Sequence, residues 1–294
     1  MNILKEIRKI WPLFPAAIYL LAFLIIVLTY LILLSFSGRG GVFPSLEPLQ
    51  TVIGMPEFRD SLINTFIFVL IGTPLELVAG LFLAFLIYHS FIMRGIVRGL
   101  FIIPVAIPAL VTATLLFILF DTQGGFINHL LLGKYSIFPA VIEKSIDWRG
   151  TKIFSLGLSL FGKVWRDMPI SMLILLAGLN AIEPQLFEAA KTMGAGFRQR
   201  LFHIIIPLII PSISAVVLLR SIEVWKEFIF PYILAGRYNL LGTLIESLYI
   251  NWDGRYEKEA ALVALVLVAC IIVSALFFIW CIDSIKKMLT DSSR

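Results

Sequence analysis

The sequence contains few charged residues for its length. Only 15% of its 294 residues are Asp, Glu, Lys or Arg, whereas 60% are hydrophobic. A soluble domain of this size carries about a quarter charged residues. So few charges cannot form a water-facing shell around so many apolar side chains. The composition therefore excludes a soluble globular protein and indicates that lipid surrounds most of the chain.

Cysteine and histidine are also scarce. Cys270 and Cys281 both fall in the last apolar run, and two cysteines are too few for a disulfide framework or a metal site. The histidines, at positions 89, 129 and 203, are far apart and have no regularly spaced acidic or cysteine partner. We therefore expect no catalytic residue and no metal site, and we interpret both cysteines as lipid-facing thiols.

Two nucleotide-related functions lack their sequence signals. The formal net charge is +5, but the basic residues form short clusters between apolar runs rather than a stripe, which argues against nucleic-acid binding. The stretch from Gly157 to Lys163 nearly spells a phosphate-binding loop. Val164 stands where Ser or Thr would contact Mg²⁺, and no strand precedes the stretch. Nucleotide binding by this chain is therefore not expected.

Long apolar runs are abundant. A bilayer core needs about 20 residues of helix, and continuous rather than alternating apolar runs favour helices over a membrane barrel. Six spans are predicted: Pro15–Phe36, Leu62–Tyr88, Leu100–Phe120, Ile153–Leu179, Ile205–Pro231 and Ala260–Ile282. The predicted fold class is an all-α membrane protein, and the first span is too long for a cleavable signal segment.

Basic residues predict the orientation of these spans. They concentrate in short segments that share one side if six spans alternate: Lys5, Arg8, Lys9, Arg94, Arg98, Lys191, Arg198, Arg200, Lys286, Lys287 and Arg294. The opposite loops are longer and contain acidic residues as well. Both termini are therefore predicted to be cytoplasmic. We divide the chain into an N-terminal segment with the first span and outer loop (1–60) and a five-span core (61–294).

The connection after the fourth span, residues 180–211, is longer than a hairpin loop needs to be. A helix is predicted from Pro184, and Gly194 and Gly196 are expected to end it or to permit close backbone approach. Its apolar positions at helical spacing are Leu186, Ala190 and Met193. A second short amphipathic piece follows. Physical reasoning leaves two interpretations open: a helix–turn–helix element on the cytoplasmic surface, or an interfacial helix on lipid headgroups.

Several charged residues fall inside the predicted spans. An ionised group at mid-bilayer costs at least about 2.5–3.5 kcal/mol, so these groups should face protein or water. They are Glu76, Arg166, Asp167, Arg220, Glu223, Lys226 and Glu227. One interpretation is interhelical ion pairs between spans 4 and 5; the other is contact with a transported molecule. The candidates for a substrate cavity are Asn64, Trp165, Arg166, Asp167, Arg220, Glu223, Trp225 and Glu227.

The connection also carries a specific motif. Glu188-Ala189-Ala190 is followed by Gly194-Ala195, Phe202, Ile206-Pro207 and Pro211. This pattern resembles the EAA motif of the permease subunits of ABC importers. Further similarity covers nearly the whole chain and is closest to the maltose-type sugar and glycerol-phosphate permeases: Asn64-Thr65, Ile103-Pro104, Pro108, Trp165-Arg166, Pro169 and Ala177-Gly178-Leu179. The chain departs from that pattern at Met193 and at Gly236-Arg237-Tyr238, where relatives often carry Asp and Gly-Gly-Pro.

The resemblance implies a type I importer permease with six transmembrane helices. The residues implied to couple to a separate ABC ATPase are Glu188, Ala189, Ala190, Gly194, Ala195, Phe202 and Pro207. ATP and Mg²⁺ would bind the ATPase, so this chain is expected to be no enzyme and to hold no cofactor. Other implied partners are a second, homologous permease and a periplasmic or lipid-anchored substrate-binding protein. The implied location is a bacterial or archaeal cytoplasmic (inner) membrane.

The same resemblance implies a sugar, oligosaccharide, polyol or phosphate ester as substrate. Aromatic and hydrogen-bonding groups suit a sugar, whereas Arg and Lys suit a phosphate ester. Two rival functions remain. An ion-coupled secondary transporter or channel would explain the spans and buried charges but not the element at 180–211. A structural subunit of another membrane complex would explain the surface helix but not the family spacing.

Overall fold

The computed structural model describes residues 11, 14–38, 41–88, 92–135, 137, 139–250 and 256–291. Within these residues the regular structure is helical and no strand occurs, which confirms the all-α prediction. The helices are α1 (Phe14–Ser35), α2 (Glu47–Gly54), α3 (Pro56–Tyr88), α4 (Arg94–Ala106), α5 (Ala109–Leu119), α6 (Phe126–Leu131), α7 (Lys152–Asn180), α8 (Pro184–Thr192), α9 (Phe197–Leu208), α10 (Ile210–Trp225), α11 (Ile229–Leu234), α12 (Leu241–Ile250) and α13 (Glu257–Asp291).

Helices α1, α3 and α13 are long and apolar enough to cross a membrane unbroken. Three further candidate spans are bent pairs: α4 with α5 at 90°, α7 with α8 at 77°, and α9 with α10 at 67°. The described part therefore holds three continuous spans, and six if each bent pair counts as one. His89 and the basic residues at positions 5, 8, 9 and 294 lie outside the described residues.

The third span was predicted as one helix, Leu100–Phe120, and this prediction is wrong. The chain breaks between α4 and α5 at Ile107, which is extended (φ −81°, ψ 128°). The cause is Pro108, since a proline has no N–H to donate and its ring pushes the preceding residue out of the helical region. The result is a right-angled turn within the apolar run.

The fifth predicted span, Ile205–Pro231, is also not one helix. It is interrupted at Ile209, between two prolines, and α10 ends at Trp225. A separate short helix, α11, begins at Ile229. The segment after it, which lies between the fifth and sixth predicted spans, contains α12.

Helices α3, α7 and α10 approach one another at glycines. A Cβ added to Gly80 on α3 would lie 2.5 Å from the Cβ of Ser171 on α7, and one added to Gly178 on α7 would collide with Ser212 on α10. Small residues permit such backbone approach in membrane proteins, where packing replaces the hydrophobic driving force. The three helices are thereby close enough for charged side chains to meet between them.

The described residues divide into two compact units. One comprises Met1–Arg59 and Leu244–Val268; within it, Lys258 Nζ donates a hydrogen bond to the carbonyl of Gly38 at 2.6 Å. The other comprises Asp60–Thr243 and Ala269–Arg294 and contains the sites discussed below. The boundary proposed between residues 60 and 61 remains a prediction. Cys270 and Cys281 are both free and half-buried.

The segment between α5 and α7 is organised by the buried side chain of Asn128. Its Nδ2 donates to the carbonyls of Asp121 (3.1 Å), Thr122 (3.2 Å) and Ile146 (2.9 Å). Its Oδ1 accepts from the N–H of Ile146 and from Nε1 of Trp148, both at 3.1 Å. One side chain therefore joins both ends of a segment that the sequence suggests only as an exposed loop.

Asn128→Leu is expected to open this segment while the helices stay folded. The substitution keeps the approximate volume but leaves buried carbonyl and N–H groups unpaired, at about 1–3 kcal/mol for each. Limited proteolysis in detergent should cut the variant within residues 121–151 faster than wild type. Lys144→Gln, an exposed change in the same segment, is the control, and equal cleavage of all three proteins would contradict the role given to Asn128.

Candidate functional site

The first candidate site is the helix–turn–helix element formed by α8 and α9. Pro184 opens α8, where its missing N–H costs nothing. The helix ends at Gly194 with φ +76°: the N–H of Ala195 donates to the carbonyl of Ala190, and that of Gly194 to Lys191, both at 3.0 Å. This is a Schellman ending, and glycine adopts its left-handed position without strain.

Most of the residues implicated by the motif lie on the surface of this element. Glu188, Ala189 and Phe202 are exposed, whereas Ala190 is buried beneath them. Of the three apolar positions predicted to share a face, only Ala190 is covered. Leu186 is 44% and Met193 is 87% exposed. The element thus presents apolar side chains and a carboxylate with nothing from the described residues covering them.

The turn after Gly194 leads directly into α9. The N–H of Gly196 donates to Oε1 of Gln199 at 2.9 Å, and α9 contains a π-helical turn at Leu201–Ile205. Pro207 lies half-buried near the end of α9. A shallow cavity of about 430 Å³ opens at the turn, lined by Met193, Gly194, Ala195, Gln199 and His203.

The second candidate site is a cluster of charges buried between α3, α7 and α10. Lys163 forms an ion pair with Asp167, one turn away on α7, and its Nζ lies 3.4 Å from Oε2 of Glu227. These three side chains are at most 10% exposed. Pairing of acids with bases satisfies charges that the membrane interior would otherwise penalise.

Arg220 extends the cluster from α7 to α3. Its Nε lies 3.8 Å from Oε2 of Glu76, and its Nη1 lies 3.8 Å from Oδ2 of Asp167. Nη1 also lies 3.1 Å from Oε2 of Glu223. Arg220 and Glu76 are almost completely buried, but the side chain of Glu223 is 36% exposed. The cluster therefore reaches the surface on the side of Glu223.

Two of the helix breaks, at Ile107 and between α10 and α11, are anchored by members of this cluster. Arg166 Nη1 lies 2.7 Å from Oδ1 of Asp167, and its Nε donates to the carbonyl of Ile107, at the break between α4 and α5, at 3.4 Å. Oε1 of Glu227 accepts from the N–H groups of Phe228 (3.1 Å) and Phe230 (3.2 Å), at the start of α11. The charges thus supply hydrogen bonds that the interrupted backbone lacks.

The ion-pair interpretation of the in-span charges matches these distances, while contact with a transported molecule remains a prediction. Among the predicted cavity residues, Trp165 (37% exposed), Arg166 (26%) and Glu223 (36%) are the more accessible ones, and of these Arg166 and Glu223 contact the cluster directly. Asp167, Arg220 and Glu227 are buried. Lys226, counted with the in-span charges, is exposed beyond the end of α10.

Within the described residues, three of the predicted cavity residues, Asn64, Trp165 and Trp225, form no hydrogen bond or ion pair with the charges. Asn64 precedes Glu76 by three turns of α3, about 18 Å along the axis, and its Nδ2 donates to the carbonyl of Asn239 at 2.9 Å. Trp225 is 4% exposed, and its Nε1 has no hydrogen-bond partner among the described residues. Asn64 therefore belongs to a different layer of the protein from the charge cluster.

Two cluster members are missing from the predicted cavity. Sequence reasoning notes Lys163 only as part of an incomplete phosphate-loop motif and leaves Glu76 out of the candidate set. The available signal was the spacing of Lys163 and Asp167: opposite charges four residues apart within an apolar run predict a paired, inward-facing turn of helix.

These features define a class: a multi-pass α-helical membrane protein with an exposed helix–turn–helix beside interrupted spans. Residues 76–289 match the family described as "Binding-protein-dependent transport system inner membrane component", and the chain belongs to that family.

Relatives and solved structures agree with this assignment. The trehalose/maltose transport system permease protein MalF of Thermococcus litoralis is 30% identical over 194 residues, which cover 66% of this chain and 63% of that protein. The sulfoquinovosyl glycerol transport system permease protein SmoG of Agrobacterium fabrum is 29% identical, over 87% of this chain and 85% of that one. A chain of the bacterial ABC transporter involved in alginate import has the same fold, with a TM-score of 0.77, 19% identity and coverage of 97% and 99%.

Proposed function

We propose that this chain is a transmembrane permease subunit of an ATP-driven, binding-protein-dependent importer. The observation that carries the proposal is the exposed α8–α9 element, with its left-handed glycine ending, in a chain of this family. A second, homologous permease would complete the translocation pathway. A periplasmic or lipid-anchored binding protein would deliver the substrate, and both termini would lie in the cytoplasm.

Coupling to the ATPase follows from the connectivity of the element. The apolar face of α8 suits a groove of a partner protein, as amphipathic helices generally do, and Glu188 would face a basic or backbone donor there. Helix α8 follows α7 after a short turn, and α9 leads into α10. A displacement of α8 would therefore act on the two helices that carry Asp167 and Arg220.

ATP hydrolysis would belong to the partner. The chain itself would be no enzyme and would bind no cofactor, since its apolar helix α7 offers Val164 where a nucleotide site needs a hydroxyl. The energy of transport would reach this chain only as movement of α8. The competing possibility for the surface element is an interfacial helix that lies on lipid.

The substrate class we propose is a sugar, oligosaccharide or related polyol or phosphate ester. The names of the relatives refer to trehalose, maltose and sulfoquinovosyl glycerol. In this chain, the more accessible of the candidate cavity side chains are an indole ring (Trp165), a guanidinium (Arg166) and a carboxylate (Glu223). Such groups suit hydroxyl-rich ligands, with Arg166 also suited to a phosphate ester.

Uptake in proteoliposomes tests the proposal. The chain would be reconstituted with its ATPase, partner permease and binding protein, and uptake of labelled trehalose and maltose would be measured. We expect uptake to require internal ATP and external binding protein and to survive a protonophore and a sodium ionophore. Uptake that needs an ion gradient but no ATP would instead establish the alternative, an ion-coupled secondary transporter or channel.

A further inference from the structure

A third site lies apart from the charge cluster, between the starting halves of α3 and α7. It is a groove of about 310 Å³ whose walls are almost entirely apolar. The residues that line it are Asn64, Ile67, Phe68, Ile71, Lys152, Ile153, Leu156, Gly157 and Leu160. It extends about 11 Å along α3 and ends where Gly72 approaches Leu160. Ile67, Ile71 and Ile153 are exposed along its rim.

The open end of the groove is cationic. Lys152 lines this end. Arg237 lies near it as well, because its Nη2 donates to the carbonyl of Gly150, two residues before Lys152, at 3.3 Å. Tyr238 donates its hydroxyl to the same carbonyl at 3.4 Å. Across the part of the chain that the structure describes, neither Lys152 nor Arg237 pairs with a carboxylate. Arg237 and Tyr238 also stand where the chain departs from the sugar-permease pattern.

A buried polar atom lies beside this end. Asn64 is 3% exposed, and while its Nδ2 is bonded to Asn239, its Oδ1 has no hydrogen-bond partner within the described residues. An unpaired buried acceptor is costly, so a donor is expected to reach it. The groove thus combines an apolar channel, two unpaired cations and a buried acceptor that lacks a donor.

We propose that this groove holds an anionic phospholipid with a hydroxyl-bearing headgroup. One acyl chain lies along the apolar walls, and the phosphate lies between Lys152 and Arg237. The glycerol headgroup donates to Oδ1 of Asn64. A protein helix would fill an apolar groove equally well but gives no reason for unpaired cations at its end, whereas basic residues beside membrane helices attract anionic lipid.

Native mass spectrometry of the full-length chain tests the proposal. Delipidated protein would be titrated with dioleoyl phosphatidylglycerol and, as the comparison without net charge, dioleoyl phosphatidylcholine. We expect one phosphatidylglycerol to bind at least about tenfold more tightly than phosphatidylcholine, since each basic residue contributes about 1 kcal/mol. The double variant Lys152→Gln/Arg237→Gln should abolish that preference, while Lys144→Gln, at an exposed lysine that does not line the groove, should keep it.

Gly157→Phe tests the apolar part separately. A Cβ at Gly157 meets nothing within 4 Å, so the fold accepts the ring, which would fill the groove and weaken both lipids. Gly99→Phe, at an equally open glycine on α4, is the control. The proposal is overturned if the double variant keeps its preference for phosphatidylglycerol or if Gly157→Phe binds lipid like wild type. It is also overturned if the lipid is lost on assembly with a second permease, which would identify a protein as the occupant of the groove.

Discussion

Arg220→Met is expected to lower the stability of the folded chain by about 3–5 kcal/mol, the cost of breaking a buried ion pair by removing one partner. Methionine preserves most of the side-chain volume, so the loss reports charge rather than a cavity. The guanidinium faces Glu76 on α3 and Asp167 on α7, and both carboxylates are buried. The effect is measured as the loss of folded protein on heating in detergent, with size-exclusion chromatography used to quantify the folded fraction.

A second substitution separates the cluster from Arg220 alone. Glu76→Gln removes one of the stranded carboxylates, so the double variant Arg220→Met/Glu76→Gln should recover part of the stability lost by Arg220→Met. Lys226→Met removes an exposed cation just beyond α10 and should change little. If the effects of Arg220→Met and Glu76→Gln simply add, the two side chains are not coupled and the ion-pair account of α3 and α10 is wrong.

Gly194→Val is expected to weaken coupling to the ATPase. The stimulation of ATP hydrolysis by substrate-loaded binding protein should fall by about tenfold or more. Gly194 has φ +76°, and an ordinary L-residue pays roughly 1–2 kcal/mol in that region, a β-branched one more. A Cβ there meets nothing within 4 Å, so the cost is backbone strain and not a clash. The measurement is ATP hydrolysis by the assembled transporter in response to substrate-loaded binding protein.

Asparagine provides the matched control, because it tolerates the left-handed conformation better than other non-glycine residues. Gly194→Asn should therefore retain most of the coupling, although its side chain is about as large as that of valine. Gly95→Val, at an open glycine on α4 without positive φ, should leave coupling intact. Equal loss with Val and Asn would mean that surface contact, and not the helix ending, requires glycine at 194.

Uninterrupted helices could be predicted closely from the sequence. The predicted Pro15–Phe36 and Ile153–Leu179 correspond to α1 and α7 within one residue at each end. The first run is apolar throughout and the second is apolar apart from Lys163, Arg166 and Asp167, and lipid demands that each backbone group be satisfied inside its own helix. Length and hydropathy are then sufficient to predict where such a helix begins and ends.

The broken spans could not be predicted because a proline within an apolar run does not always interrupt the helix. Pro74 and Pro169 lie inside α3 and α7 without ending them, whereas Pro108 separates α4 from α5. A break persists when another part of the protein satisfies the freed backbone groups. Arg166 does so at Ile107, and this contact comes from a different helix, so no local pattern encodes it.

The two candidate sites differ in the same way. The α8–α9 element is local, and Pro184 and Gly194 mark its start and end by their backbone preferences. The charge cluster is assembled from distant segments: Lys163 and Glu227 meet only because α7 packs beside the end of α10. Composition identifies the charges as inward-facing, but their pairing depends on tertiary structure.

The central claim is that α8 couples this chain to a separate ATPase, and a pull-down from detergent tests it most directly. Tagged wild type and a Glu188→Ala/Gly194→Val variant would be purified from cells that express the whole transporter, and both would be probed for the ATPase subunit. The account predicts that wild type retains the ATPase and that the variant loses it while eluting as the same folded species. Absence of the ATPase even from wild type would contradict the account and favour an ion-coupled transporter.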